Sequence, residues 1–120
     1  MTWVRIASLI MFLGVALGAF GAHGLKDTLS AEARPVYQTA VLYQLIHGLA
    51  LLAVGWLATL KPNSPVVRQA GWAFVIGIVL FSGSLYLLSL TGMKKLGIVT
   101  PFGGLALLVG WLFLALAATR

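Results

Sequence analysis

IASLIMFLGVALGAFGAHGL, running from Ile6 to Leu25, carries no charged side chain over about 20 residues, enough to cross the roughly 30 Å hydrocarbon core of a bilayer at about 1.5 Å of rise per helical residue. Three more such runs follow: Pro35 to Leu60, Gln69 to Met93 and Leu96 to Thr119. The pattern predicts an all-α membrane protein, a four-transmembrane-helix bundle with short loops, whose spans lie near 5–25, 35–60, 68–92 and 97–119.

Composition agrees. Hydrophobic residues make up 61% of the chain and charged residues 8%, with a mean hydropathy of +1.05, whereas soluble domains are roughly a quarter charged. The connecting segments, about 4 to 10 residues each, have only the length of turns, so residues 1–120 read as a single integral membrane domain. A formal charge of +6 would suggest nucleic acid in a soluble protein. Here the Lys and Arg residues sit singly at the ends of apolar runs, which is the pattern of anchoring to headgroups, and no nucleic-acid partner is expected. The chain has no cysteine, which excludes disulfides and thiolate metal sites.

Arg5, the following apolar stretch and Ala19-Phe20-Gly21-Ala22 also have the layout of a cleavable signal peptide. Cleavage would leave three spans and discard the tightest packing surface in the sequence, so the first span is read as retained. That surface is the Gly14/Gly18 GxxxG pair extended by Gly21 and Ala22, a flat strip on which another backbone can lie closely. Gly48 and Gly55 mark a small-residue face on the second span, and Gly103, Ala106 and Gly110 mark one on the fourth.

The turns are written in the sequence as well. Ser30 is placed to cap a helix leading into Pro35, within a short amphipathic connector that carries the only two acids, Asp27 and Glu32. Lys61-Pro62-Asn63-Ser64-Pro65 cannot continue a helix. Thr100-Pro101 reads as an N-cap and first-turn proline, so the regular fourth helix is expected to begin near Pro101, with Leu96 to Val99 packed against protein. Trp3, Trp56 and Trp72 belong to one interface, on the side of both termini. Lys and Arg are evenly divided between the two sides, and an even number of spans puts both termini on one side, read as cytoplasmic.

Polar side chains inside the spans are the informative exceptions, because each must find a partner or carry a desolvation cost of roughly 1 to 3 kcal/mol. His23 ends the first span. Tyr37, Gln38, Tyr43, Gln44 and His47 occupy the first half of the second, Ser82, Tyr86 and Ser89 the second half of the third, and Thr100 opens the fourth. Since neighbouring spans are antiparallel, all fall in one leaflet, with His47 near mid-membrane. Tyr43 and Gln44 lie four and three residues before His47 and so share its helical face, and Ser82, Tyr86 and Ser89 make a second stripe. Two readings stand: a hydrogen-bond network joining helices, or a small pocket for a lipid headgroup, quinone or other polar molecule contacted by His47 and Gln44.

Specific chemistries lack their parts. No Asp or Glu lies within a span, so an acid-based proton antiporter has no carboxylate and proton coupling would fall on His47 alone. His23 and His47 differ in depth by on the order of 15 Å at helical rise, too far for a shared haem. Two histidines with no acid nearby except Asp27 and Glu32 of the first connector are too thin a set for a metal site, and Ser82-Gly83-Ser84 sits mid-helix without the strand and acid of a hydrolase. No catalytic residue, metal or cofactor is expected, and the expected partners are membrane lipid and a second copy or another membrane protein. The expected role is non-enzymatic, in the bacterial inner membrane, through packing with lipid or protein. The alternative is a small dimeric transporter or channel using His47, Gln44 and Tyr86.

Gly18-Ala19-Phe20-Gly21-Ala22-His23, Tyr43-Gln44-x-x-His47, Leu80-Phe81-Ser82-Gly83-Ser84-Leu85-Tyr86, Val99-Thr100-Pro101-x-Gly103-Gly104 and Gly110-Trp111 together resemble the signature of the YgdD-like family of small four-span bacterial membrane proteins, domain of unknown function 423. Eukaryotic transmembrane protein 256 is a more distant likeness. The resemblance covers nearly the whole chain and implies the four-span fold, the membrane location and cytoplasmic termini, but no reaction.

Overall fold

Hydrocarbon offers a backbone no hydrogen-bond partner, so each apolar run must close its own amide ladder. In the computed structural model, which describes residues 1–119, all four do so as helices: α1 (Thr2–His23), α2 (Ala33–Leu60), α3 (Pro65–Thr91) and α4 (Thr100–Thr119), with a short 3-10 segment at Lys94–Ile98. All four are long and apolar enough to cross a membrane. The expected all-α four-helix fold is the observed one.

Chain order sets the packing: α1 lies on α2, α2 on α3 and α3 on α4, while α4 also touches α2. Glycines set the distances. A β-carbon at Gly14 would meet Leu45, one at Gly18 Val41, and one at Gly21 the ring of Tyr37, so the GxxxG strip of α1 lies on α2. Gly48 and Gly55 answer from α2, against Met11 and Val4. On the other side Gly103 abuts the backbone of Leu80 and Phe81, Gly77 abuts Leu107, and Gly110 abuts the Phe74 ring. These pairs advance along α4 as they retreat along α3, the mark of an antiparallel pair in fixed register. Gly71 receives the Trp3 indole, which meets Trp72 edge-on at 5.5 Å.

The interior is divided along its length. Towards the loop between α2 and α3 it is apolar, built from Ala7, Leu51, Val54, Val67 and Phe74; towards the other two loops it is polar, with Gln44, Ser82, Ser84 and Ser89 buried. The large apolar side chains left outside, such as Phe12, Val79, Phe102 and Leu112, face the lipid that replaces water as their solvent.

The ends are capped as the local chemistry requires. Ser30 Oγ accepts from the Ala33 N–H at 3.0 Å, two residues ahead of the α2 N-cap Glu32, whose own side chain makes no capping bond, and Ser64 accepts from Val67 at the start of α3, with Pro65 in its first turn. Gly92, at φ 72°, closes α3 in the left-handed conformation that glycine adopts without strain. Lys61, in the α2–α3 turn, donates from Nζ to the Ala117 carbonyl at 2.5 Å, placing a cation on the negative end of α4.

The entry to α4 differs from expectation. Thr100 is not its N-cap: the Val99 carbonyl accepts from the N–H groups of Phe102 and Gly103, because the 3-10 turn already presents that carbonyl to the helix. Nor is Leu96 to Val99 wholly packed against protein. Leu96 and Val99 are half-buried while Gly97 and Ile98 are exposed, which the backbone tolerates because the turn bonds Leu96 N–H to Met93 and Val99 N–H to Leu96. Arg120, part of the charge comparison between the two sides, lies outside the described residues.

Adjacent glycines provide a test of the close approach. A β-carbon at Gly104 would lie 3.7 Å from the Phe81 ring, whereas one at Gly103 would collide with the α3 backbone. Gly104→Ala should leave the melting temperature in detergent within error or raise it, while Gly103→Ala should cost about 1 to 3 kcal/mol as an overpacking change. Equal melting of the two variants would contradict the α3–α4 register.

Candidate functional site

One turn of α2 supplies the centre of the polar half. Gln44, buried, points across to both neighbours: its Nε2 donates to the Ile10 carbonyl of α1 at 2.9 Å, and its Oε1 accepts from the Tyr86 hydroxyl of α3 at 2.6 Å. The glycine strip makes the first bond possible, since a β-carbon at Gly14 would sit 3.4 Å from the Gln44 side chain. Two turns back towards loop one, the connection between α1 and α2, Tyr37 uses the gap at Gly21 in the same way, donating from its hydroxyl to the Leu17 carbonyl at 2.5 Å.

His47 stands on the same face. Its Nδ1 lies 2.8 Å from the Tyr43 carbonyl, and the Trp111 indole N–H of α4 donates to its Nε2 at 3.0 Å. A carbonyl can only accept and an indole N–H can only donate, so the imidazole is fixed as the Nδ1–H tautomer with both nitrogens engaged. Phe74 and Trp111 pack around it, each with its ring centroid 5.8 Å from the imidazole.

The serines of α3 divide between its two partners. Ser82 donates to the Ala40 carbonyl of α2 at 2.7 Å. Ser84, two residues on and therefore turned towards α4, meets the Thr100 hydroxyl at 2.6 Å and donates to its own helix at Phe81. Donors and acceptors are matched throughout: among the described residues no buried side-chain nitrogen or oxygen lacks a partner.

Of the residues singled out from sequence, Tyr37, Gln44, His47, Ser82, Tyr86 and Thr100 make hydrogen bonds between elements. Tyr43 stands at the edge of the group, its ring 4.4 Å from Phe81 and stacked on His47. Two do not join. His23 is exposed in the last turn of α1, because depth alone does not turn a side chain inward, and Ser89 bonds only the Tyr86 carbonyl of its own helix. Trp111 and Ser84 take part although the polar stripes in the sequence do not include them. Trp111 carried the clearest missed signal, an indole N–H in the middle of an apolar run.

Beside His47 a groove of about 520 Å³ opens between α2, α3 and α4, lined by Tyr43, Phe81, Gly104 and Trp111 among others. No carboxylate lines it, and the imidazole beside it has both nitrogens bonded; of the lining residues Tyr43 alone has a hydroxyl, which makes no hydrogen bond to the described residues. Among the described residues no three His, Cys, Asp or Glu side chains gather in a way that could hold a metal ion. The Gln44, Tyr86, His47 and Trp111 bonds join all four helices.

Fold and site together define a small four-span membrane protein with an interhelical polar network. A sequence profile described as "Protein of unknown function (DUF423)" matches residues 17–104, and the chain belongs to that family. It is 42% identical to a UPF0382 membrane protein of Staphylococcus epidermidis, over 98% of this chain and 95% of that one. It is 44% identical to a UPF0382 membrane protein of Staphylococcus saprophyticus, over 98% and 97%, and 41% identical to the UPF0382 membrane protein YwdK of Bacillus subtilis, over 98% and 96%. No solved structure matches.

A paired substitution measures the network. Gln44→Leu strands the Tyr86 hydroxyl in an apolar interior and should cost about 1 to 2 kcal/mol. Gln44→Leu with Tyr86→Phe removes both partners and should recover part of that loss. Thermal unfolding in detergent reads the coupling, and a double variant no more stable than the sum of its singles would contradict the bond.

Proposed function

We propose that this is a non-catalytic integral protein of the bacterial inner membrane, acting through the surfaces its helices present to lipid and to partner proteins or a second copy, with the polar network as its internal lock. The observation that carries this reading is the closure of the network. Gln44 is used at both ends, His47 at both nitrogens, and the buried hydroxyls of Tyr37, Ser82 and Ser84 on protein atoms. A substrate site keeps several convergent polar groups free to orient its ligand, whereas the groove beside His47 offers the Tyr43 hydroxyl alone, and a proton carrier needs a nitrogen that can change partner. Here Trp111 holds the lone pair of His47 that a proton would take.

Both termini are proposed to face the cytoplasm. Because the chain has no cysteine of its own, single cysteines at Ser64 and Gly97 can be labelled in intact cells with a membrane-impermeant maleimide. Label at Gly97 and protection at Ser64 are expected; the reverse would invert the protein.

Native mass spectrometry of gently solubilised protein beside Gln44→Leu/Tyr86→Phe tests the role of the network. The same subunit number and the same bound species are expected for both. A defined non-lipid adduct carried by the wild type and lost in the variant would make the network a ligand site and overturn this reading.

A further inference from the structure

A second groove, about 580 Å³ in volume, runs between α1 and α2 beneath loop one, on the outer side of the Tyr37 and Gln44 bonds. Its floor is apolar, with Gly18, Val41 and Leu45, and its rim is polar, with Lys26, Arg34 and Gln38. The rim is a built feature: Arg34 Nη2 donates to the Lys26 carbonyl at 2.6 Å, folding loop one over the start of α2 and holding two cationic residues at one edge. Asp27 and Glu32, the nearest carboxylates in sequence, do not line the groove. Two cations gathered at headgroup depth above an apolar slot in hydrocarbon match one kind of molecule in charge and in shape.

We infer that this groove binds an anionic glycerophospholipid, its phosphate on Lys26 and Arg34 and an acyl chain along Gly18, Val41 and Leu45. Basic pockets between transmembrane helices recognise acidic headgroups in this way. The absence of a side chain at Gly18 deepens the slot, and the Arg34 guanidinium, with one donor spent on loop one, keeps others for phosphate oxygens. The inference gives the proposed lipid-facing role its lipid class, and stands on side chains outside the Gln44 and His47 network.

The test is a native mass spectrometric titration of the purified full chain with phosphatidylglycerol and with phosphatidylcholine of the same acyl chains, run beside Lys26→Gln and Lys26→Gln/Arg34→Gln. Phosphatidylglycerol should bind in preference, its affinity falling about fivefold for each cation removed, as a juxtamembrane cation contributes. The melting temperature of Lys26→Gln should be unchanged, since Lys26 is exposed and its carbonyl, not its ammonium, holds Arg34. Soluble glycerol 3-phosphate, which lacks the chains, should not compete. Equal binding of the two lipids, full retention in Lys26→Gln, or displacement by glycerol 3-phosphate would each overturn the site. Gln44→Leu/Tyr86→Phe should bind phosphatidylglycerol as the wild type does. If lipid selectivity is absent while that variant matches the wild type, the inference fails and the proposed function stands; if the lipid is lost in that variant and kept in Lys26→Gln, both fail.

Discussion

The Gln44 amide is a polar group in a place where water cannot reach it, and the arrangement of three helices follows from satisfying it. In hydrocarbon each unpaired donor or acceptor carries its full desolvation cost, so an amide with two ends must find two partners at fixed distances. It finds the Ile10 carbonyl on one side and the Tyr86 hydroxyl on the other. Three residues along α2, the bond from Trp111 to His47 ties in the fourth helix. One turn of α2 is thereby the hub of the molecule.

That hub depends on glycine. A helix carbonyl already serves its own ladder, and a side chain from a neighbour reaches it only if the two backbones come close. Gly14 and Gly21 clear the space through which Gln44 and Tyr37 reach α1, and Gly103 brings α4 onto the α3 backbone, where Ser84 and Thr100 meet. Small residues and polar residues act as one system: the first set the distance, and the second convert it into register. At the opposite end, where the interior is apolar, Lys61 on the Ala117 carbonyl and Trp3 on Gly71 do the corresponding work.

Much of this was legible in the sequence. Uncharged runs of spanning length fix the number of helices, because hydrocarbon admits little else. The spacing of Gln44 and His47 puts both on one face, and the antiparallel order brings them to the depth of Ser82 and Tyr86. Sequence could not show which acceptors are used, since Ile10, Leu17 and Ala40 contribute only carbonyls that every residue has. It pointed away from Ser84, which lies off the Ser82 and Tyr86 stripe and turns to α4 rather than α2. It overvalued His23, which shares the leaflet of the cluster but faces outward. Thr100, before Pro101, has the sequence of a cap; the preceding 3-10 turn, which the short Lys94–Ile98 stretch does not advertise, supplies the Val99 carbonyl instead and leaves the hydroxyl to Ser84.

The central claim is that the membrane-buried polar side chains are spent on partners within the protein, and His47 reports on it most directly. With only two histidines in the chain, nitrogen-15 NMR of histidine-labelled protein in bilayers, with His23→Gln for assignment, resolves the state of each ring nitrogen. The account predicts a proton on Nδ1 of His47 and an Nε2 that accepts a hydrogen bond, with the Nε2 signal shifting when Trp111→Phe removes the donor. A proton on Nε2, or a signal indifferent to Trp111→Phe, would contradict it and return the imidazole to the list of groups free to act on a ligand.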